Sequence, residues 1–172
     1  VKTSNRSTQI IVLTGVSGSG KTTLGRKLAE KLDWDFYDAD DFHLHTNLEK
    51  MARGIPLTDE DRWPWLDRLR HLILELIEKD HQAVVACSAL KTSYRERLLR
   101  DTRHTQLVYL RGDYELIKRR MEARQDHFFE AGMLKSQFEI LEEPRESIIV
   151  NIDAQPDVIV EEIIKRLDLS DL

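Results

Sequence analysis

The sequence predicts a single α/β domain, a mostly parallel β-sheet with helices on both faces. Three observations lead there. A glycine-rich loop, Gly15-Val16-Ser17-Gly18-Ser19-Gly20-Lys21-Thr22, stands between a short apolar run and an amphipathic stretch. Further apolar runs recur along the chain and read as strands covered on both faces. The segments between them repeat apolar residues at helical spacing. Strands alternating with helices make a parallel sheet, and right-handed crossovers put its ligands beyond the strand C-terminal ends.

The elements follow in order. Ile10-Ile11-Val12-Leu13 is a buried strand, and Leu24, Leu28, Ala29 and Leu32 stripe the helix after the glycine loop. Phe36-Tyr37 is a short second strand leading into Asp38. Thr58 caps a helix whose first turn is acidic and whose apolar face is Trp65, Leu66, Leu69, Ile73, Leu76 and Ile77. Ala83-Val84-Val85-Ala86-Cys87 and Leu107-Val108-Tyr109-Leu110 are the third and fourth strands, with a short helix over Ser93–Arg100 between them. Tyr114–Arg124 is another short helix. Ser147 to Ile152 is the fifth strand, and Val158, Ile159, Ile163, Ile164 and Leu167 close the chain as a helix after Pro156. The stretch of about residues 125–143 is the least sheet-like and is expected to be a lid over the ligand. The tryptophans are expected to pack or cover.

A chain of 172 residues suits one domain, expected over 1–172 with a flexible N-terminus at 1–8. With 26 Lys and Arg against 31 Asp and Glu, the net charge of −5 argues against a general nucleic-acid or membrane-surface role. The one cysteine, Cys87, can form no internal disulfide, which favours a reducing compartment. No apolar run approaches the ~20 residues of a membrane helix, and Val1 to Thr8 lack a signal-peptide core. A cytoplasmic protein is expected.

The glycine loop matches G-x-x-x-x-G-K-[ST], the phosphate-binding P-loop, in the strand–loop–helix context that the pattern requires. Gly15, Gly18 and Gly20 let the backbone wrap a polyphosphate, with Ser17, Ser19 and Thr23 in the same nucleotide cradle. Lys21 is expected to bridge the β- and γ-phosphates and the Thr22 hydroxyl to ligate Mg²⁺. Asp38 and Asp40 follow the second strand at the same sheet edge. On an extended segment they would point the same way. One can hold Mg²⁺ through water and the other can accept a proton from a hydroxyl nucleophile. The sequence leaves the division open, and we expect Asp38 at the metal and Asp40 at the acceptor. Arg120 and Arg124 lie one helical turn apart at the entry to the lid. One guanidinium can stack on adenine and another can neutralise the transferring phosphoryl group, and on pattern alone solvated surface arginines are an equal reading of them. Lys91 and Arg95 follow the third strand and can bind an anionic acceptor, and routine surface charge is an equal reading of them.

The chain resembles the gluconate kinase family of P-loop small-molecule kinases. The glycine loop carries the resemblance together with Tyr37-Asp38-Ala39-Asp40-Asp41-Phe42-His43 and Asn47-Leu48-Glu49-Lys50-Met51. It continues in Gly54 to Arg62 with Trp65-Leu66, in Cys87-Ser88-Ala89-Leu90-Lys91 with Tyr94-Arg95, and in His127-Phe128-Phe129. Ser136-Gln137-Phe138-Glu139 with Leu141-Glu142 and Pro144 completes it. The resemblance implies ATP-dependent phosphorylation of D-gluconate at the 6-hydroxyl, a five-stranded parallel sheet, a P-loop kinase domain in three layers with a helical lid, and a homodimer. It implies acceptor contacts from Asp40, His43, Arg62, Lys91, Arg95, His127 and Gln137. With the resemblance to related kinases, Arg120 is expected to stack on adenine and Arg124 to neutralise the transferring phosphoryl group. Leu44 follows His43 where the family often has proline, and Ala39 stands where glycine is often found.

Two other functions are weighed. A related kinase of this fold could act on shikimate or another polyol acid. A non-catalytic nucleotide-binding switch would bind nucleotide without acceptor-stimulated turnover, and intact Lys21, Thr22, Asp38 and Asp40 speak against it.

Overall fold

The computed structural model describes residues 9–100, 102, 104–123 and 131–169. Its strands are β1 (Ile10–Thr14), β2 (Asp35–Asp38), β3 (Ala83–Ala86), β4 (Thr105–Arg111) and β5 (Ile148–Asn151). They form one five-stranded sheet in the order β2-β3-β1-β4-β5, and every pairing is parallel. The helices are α1 (Lys21–Leu32), α2 (His45–Ala52), α3 (Asp59–Glu78), α4 (Thr92–Leu99), α5 (Tyr114–Glu122), α6 (Ala131–Ile140) and α7 (Pro156–Arg166).

Side-chain alternation along the strands builds three layers. Ile11 and Leu13 of β1 face a core shared with Leu24 and Leu28 of α1, Ile117 of α5, Leu134 of α6 and Ile159 and Ile163 of α7. Ile10 and Val12 face the opposite core, filled by Trp65, Leu66, Leu69 and Ile73 of α3 and by Tyr94 and Leu98 of α4. A strand buried on both faces has no polar side to show, which is why β1 and β3 read as unbroken apolar runs.

The expected strands and the five predicted helices are present. Two features differ from the sequence reading. Residues Ala39–Phe42 form a single 3₁₀ turn instead of an extended segment. The unexpected α2 follows it. The expected lid contains α6, which is packed into the structure: Leu134 is buried, and Phe138 meets Tyr114 edge to face at 5.5 Å.

α3 starts where its sequence says it should. The Thr58 hydroxyl accepts from the Asp61 N–H at 3.2 Å and the Asp61 carboxylate accepts from the Thr58 N–H at 2.9 Å. Asp61 also pairs with Lys50 at 2.7 Å, which fastens α2 to α3.

Candidate active site

The loops after β1, β2 and β3 converge at the C-terminal edge of the sheet, where the strand order places a ligand crevice. The first supplies the phosphate cradle. Gly20 precedes α1 at φ 93°, a left-handed conformation that glycine adopts without strain, and it offers no side-chain cap to the helix N–H groups. Gly18 has φ 78°, and a Cβ there would come within 2.5 Å of Met121, so α5 closes directly on the loop.

Lys21 is folded back on its own loop. Its ammonium donates to the Gly15 and Val16 carbonyls, each at 2.9 Å. Burial lowers its pKa, with Asp40 and then Cys87 and Asp38 pulling the other way. The Ser19 hydroxyl is fully buried and has no hydrogen-bond partner among the described residues. A buried ammonium, uncapped helix N–H groups and an orphaned hydroxyl together fit a polyanion.

Asp38 and Asp40 do not share one extended face, as the sequence reading had them, because the 3₁₀ turn intervenes. Asp38 uses both oxygens on protein donors, one accepting from the Thr22 hydroxyl at 2.8 Å and the other from the Asp40 N–H at 3.1 Å. A hydroxyl beside a carboxylate fits Mg²⁺, which keeps most of its shell as phosphate and water. Asp40 opens on solvent, its side chain 79% exposed, with His43 Nε2 3.8 Å away. Desolvation by the surrounding protein, then Asp38, raises its pKa, against Lys21 and His43.

His43 is walled in. Its side chain is only 4% exposed and stacks on the Trp65 ring at 4.4 Å and 11°. Nδ1 is buried without a partner among the described residues. Burial lowers its pKa, with Asp40 opposing and Arg62 assisting, which keeps the ring neutral. Trp65 has a role the sequence did not suggest: its indole N–H donates to the Ala39 carbonyl at 2.7 Å and so holds the turn that presents Asp40.

A cationic group lies beyond His43. The Arg62 guanidinium sits over the Tyr94 ring at 5.5 Å, and its buried Nε has no partner among the described residues. Lys91 donates to both oxygens of Asp59 at 2.9 and 3.2 Å, and the Tyr94 hydroxyl donates to Asp59 at 2.5 Å. The Tyr94 and Lys91 bonds hold the Asp59 pKa below the usual carboxylate range. Sequence reasoning missed Asp59 and Tyr94. Asp59 passed for a routine acid at a helix start, and Tyr94 was noted only as part of a motif.

One expected acceptor contact is corrected by the geometry, and another expected acceptor residue is engaged with the P-loop. Arg95 is 7% exposed and its guanidinium is consumed by its surroundings. Nη1 donates to the Ala89 and Leu90 carbonyls, each at 2.9 Å, and Nη2 to Thr92 Oγ1 at 3.1 Å and the Glu142 carbonyl at 2.7 Å. It clamps the loop carrying Lys91. Gln137 faces the P-loop: its Oε1 accepts from the Ser17 N–H at 2.7 Å and its Nε2 donates to Ser17 Oγ at 3.1 Å. Arg120 donates to the Ile152 carbonyl at 2.6 Å, which places it at the C-terminal end of β5. Thr23 is exposed in the first turn of α1. Arg124 and His127 lie outside the described residues.

The shikimate kinase family model matches residues 17–168. The thermosensitive gluconokinase of Escherichia coli K12 is 47% identical over 149 residues, which are 86% of this chain and 80% of that one. This chain belongs to the gluconokinase family of P-loop kinases. Among solved structures, a gluconokinase from Sinorhizobium meliloti 1021 superposes with a TM-score of 0.84 at 37% identity, covering 95% of this chain and 94% of that one. An unliganded sugar kinase from Janibacter sp. HTCC2649 gives 0.86 at 40% identity, covering 95% and 96%. Membership in the gluconokinase family accounts for a P-loop and a carboxylate at the same sheet edge. No helix among the described residues is long and apolar enough to cross a membrane.

Proposed function

We propose that this protein transfers the γ-phosphoryl group of ATP to the 6-hydroxyl of D-gluconate, giving 6-phospho-D-gluconate and ADP. One observation carries the reading. His43 lies 3.8 Å from Asp40 and feels the charge of Arg62, and Arg62 and Lys91 both stand over the Tyr94 ring. A carboxylate and a cationic pair linked through His43 suit an acceptor that carries both a hydroxyl and a carboxylate. Relatives that bear the name gluconokinase support that acceptor.

ATP supplies the activated phosphoryl group, and Mg²⁺ screens its oxygens. Thr22 and Asp38 would hold the metal. The acceptor oxygen bonds to phosphorus as the bond to the β-phosphate oxygen breaks, and the hydroxyl proton passes to Asp40. Lys21 exchanges two loop carbonyls for a full counter-charge. Arg62 and Lys91 bind the acceptor carboxylate, with Asp59 and Tyr94 orienting Lys91. In this reading Arg120 stacks on adenine, Arg124 neutralises the moving phosphoryl group and His127 contacts the acceptor. The protein acts as a cytoplasmic homodimer.

An ADP-release assay with MgATP over a panel of sugar acids, sugars and shikimate tests the reading. Gluconate is expected to give the highest kcat/KM. A higher value for shikimate would reassign the cationic group, and nucleotide binding without stimulation by any acceptor would support a switch.

A further inference from the structure

α6 and its tail touch both halves of the site. Gln137, in the second half of α6, makes a reciprocal pair of hydrogen bonds with Ser17 of the P-loop. The Ser17 N–H can only donate, so the amide oxygen must face it, and the amide nitrogen then falls on the hydroxyl. Glu142, two residues past the end of α6, engages the loop after β3 and the first turn of α4 with three hydrogen bonds. Its N–H donates to the Leu90 carbonyl at 2.9 Å, its carboxylate accepts from the Thr92 N–H at 2.6 Å, and its carbonyl accepts from Arg95 at 2.7 Å. Lys91 is the N-cap residue of α4 and makes no side-chain cap bond. Glu142 supplies that cap from outside the helix, one residue beyond Lys91. α6 itself is held by buried Leu134 and by Phe138 against Tyr114.

We propose that α6 and its tail form a strut joining the phosphate loop to the acceptor loop, with Gln137 and Glu142 as its positioning residues. It rests on the reading above, in which Lys91 binds the acceptor. A change in the P-loop on nucleotide binding is carried through Ser17, Gln137 and Glu142 to the backbone of Lys91. Nucleotide and acceptor therefore bind with linked affinities, and the linkage is reciprocal.

Hydrogen exchange in the presence and absence of MgADP tests the strut without any acceptor. In the wild type, nucleotide slows exchange several-fold both at 15–22 and at 88–95. In Gln137→Ala, slowing persists at 15–22 and is lost at 88–95. Gln137→Glu restores transmission, since Ser17 N–H and Oγ–H can each donate to the new carboxylate, while its charge weakens nucleotide binding. No slowing at 88–95 in the wild type at saturating nucleotide overturns the proposal, as does undiminished slowing in Gln137→Ala. Should Gln137→Ala fail to fold, Glu142→Ala cuts the cap at the other end and is expected to weaken the same signal. A second arm adds gluconate. It should tighten MgADP binding by about fivefold or more in the wild type and by less than about twofold in Gln137→Ala. Gluconate that binds neither the wild type nor Gln137→Ala in the second arm counts against the acceptor assignment alone, because the exchange data still decide the strut.

Discussion

Asp38 and Asp40 are two positions apart, yet the 3₁₀ turn gives them opposite surroundings. Asp38 is tied down by Thr22 and by the Asp40 N–H, while Asp40 has no hydrogen bond to its carboxylate among the described residues. A tethered carboxylate suits a metal shell, and a free one with a raised pKa suits proton transfer. Asp40→Asn should keep MgATP binding and slow turnover by about 10²–10⁴. The pH profile of kcat/KM gives a separate check. The base must be ionised, and its raised pKa keeps it protonated to higher pH. The acid limb of the wild type should therefore lie above the ~3.9 of an ordinary Asp. At the other extreme, burial lowers the Lys21 pKa, so the alkaline limb should fall below the ordinary lysine value of ~10.4. An acid limb that survives in Asp40→Asn would assign it to another group. Lys21 and Thr22 were legible in the sequence because one loop pattern fixes their roles. Asp59 and Tyr94 were not, because each gains its meaning only when α3 and α4 lie side by side.

At the scale of elements, the sequence announced those whose signals are local. The Thr58 cap of α3 and the proline at the start of α7 are such signals, and both hold. The turn at 39–42 was not legible, because a buried indole far along the chain holds it. Arg95 was misread for the same reason. Its charge suggested an anion site, but folding brings four carbonyl and hydroxyl acceptors around it. Arg95→Ala strips those acceptors in a buried place and should destabilise the protein by about 3 kcal/mol. Its loop carries Lys91, so the KM for gluconate should rise while nucleotide affinity in the absence of acceptor stays near normal. Thermal unfolding and the two binding constants measure this. A raised KM with unchanged stability would return Arg95 to direct contact with the acceptor.

The whole molecule was the most legible scale. Parallel strands buried on two faces need apolar residues at odd and even positions alike, and Ile10 to Leu13 divide between the two cores accordingly. The order β2-β3-β1-β4-β5 was beyond sequence reading, since pairing partners are chosen across the chain. That order puts β1 at the centre, and both cores depend on it. The P-loop continues from β1, and through α1 and α5 it touches one core directly. A ligand at this loop should therefore stabilise the domain as a unit. MgADP at about one hundred times its Kd contributes about 2.7 kcal/mol. For a chain of this size that raises Tm by about 5–10 °C. Calorimetry should show one transition that moves as a whole when MgADP is added. A second transition that stays put would divide the chain into two folding units, and the expectation of one domain over 1–172 would fall with it.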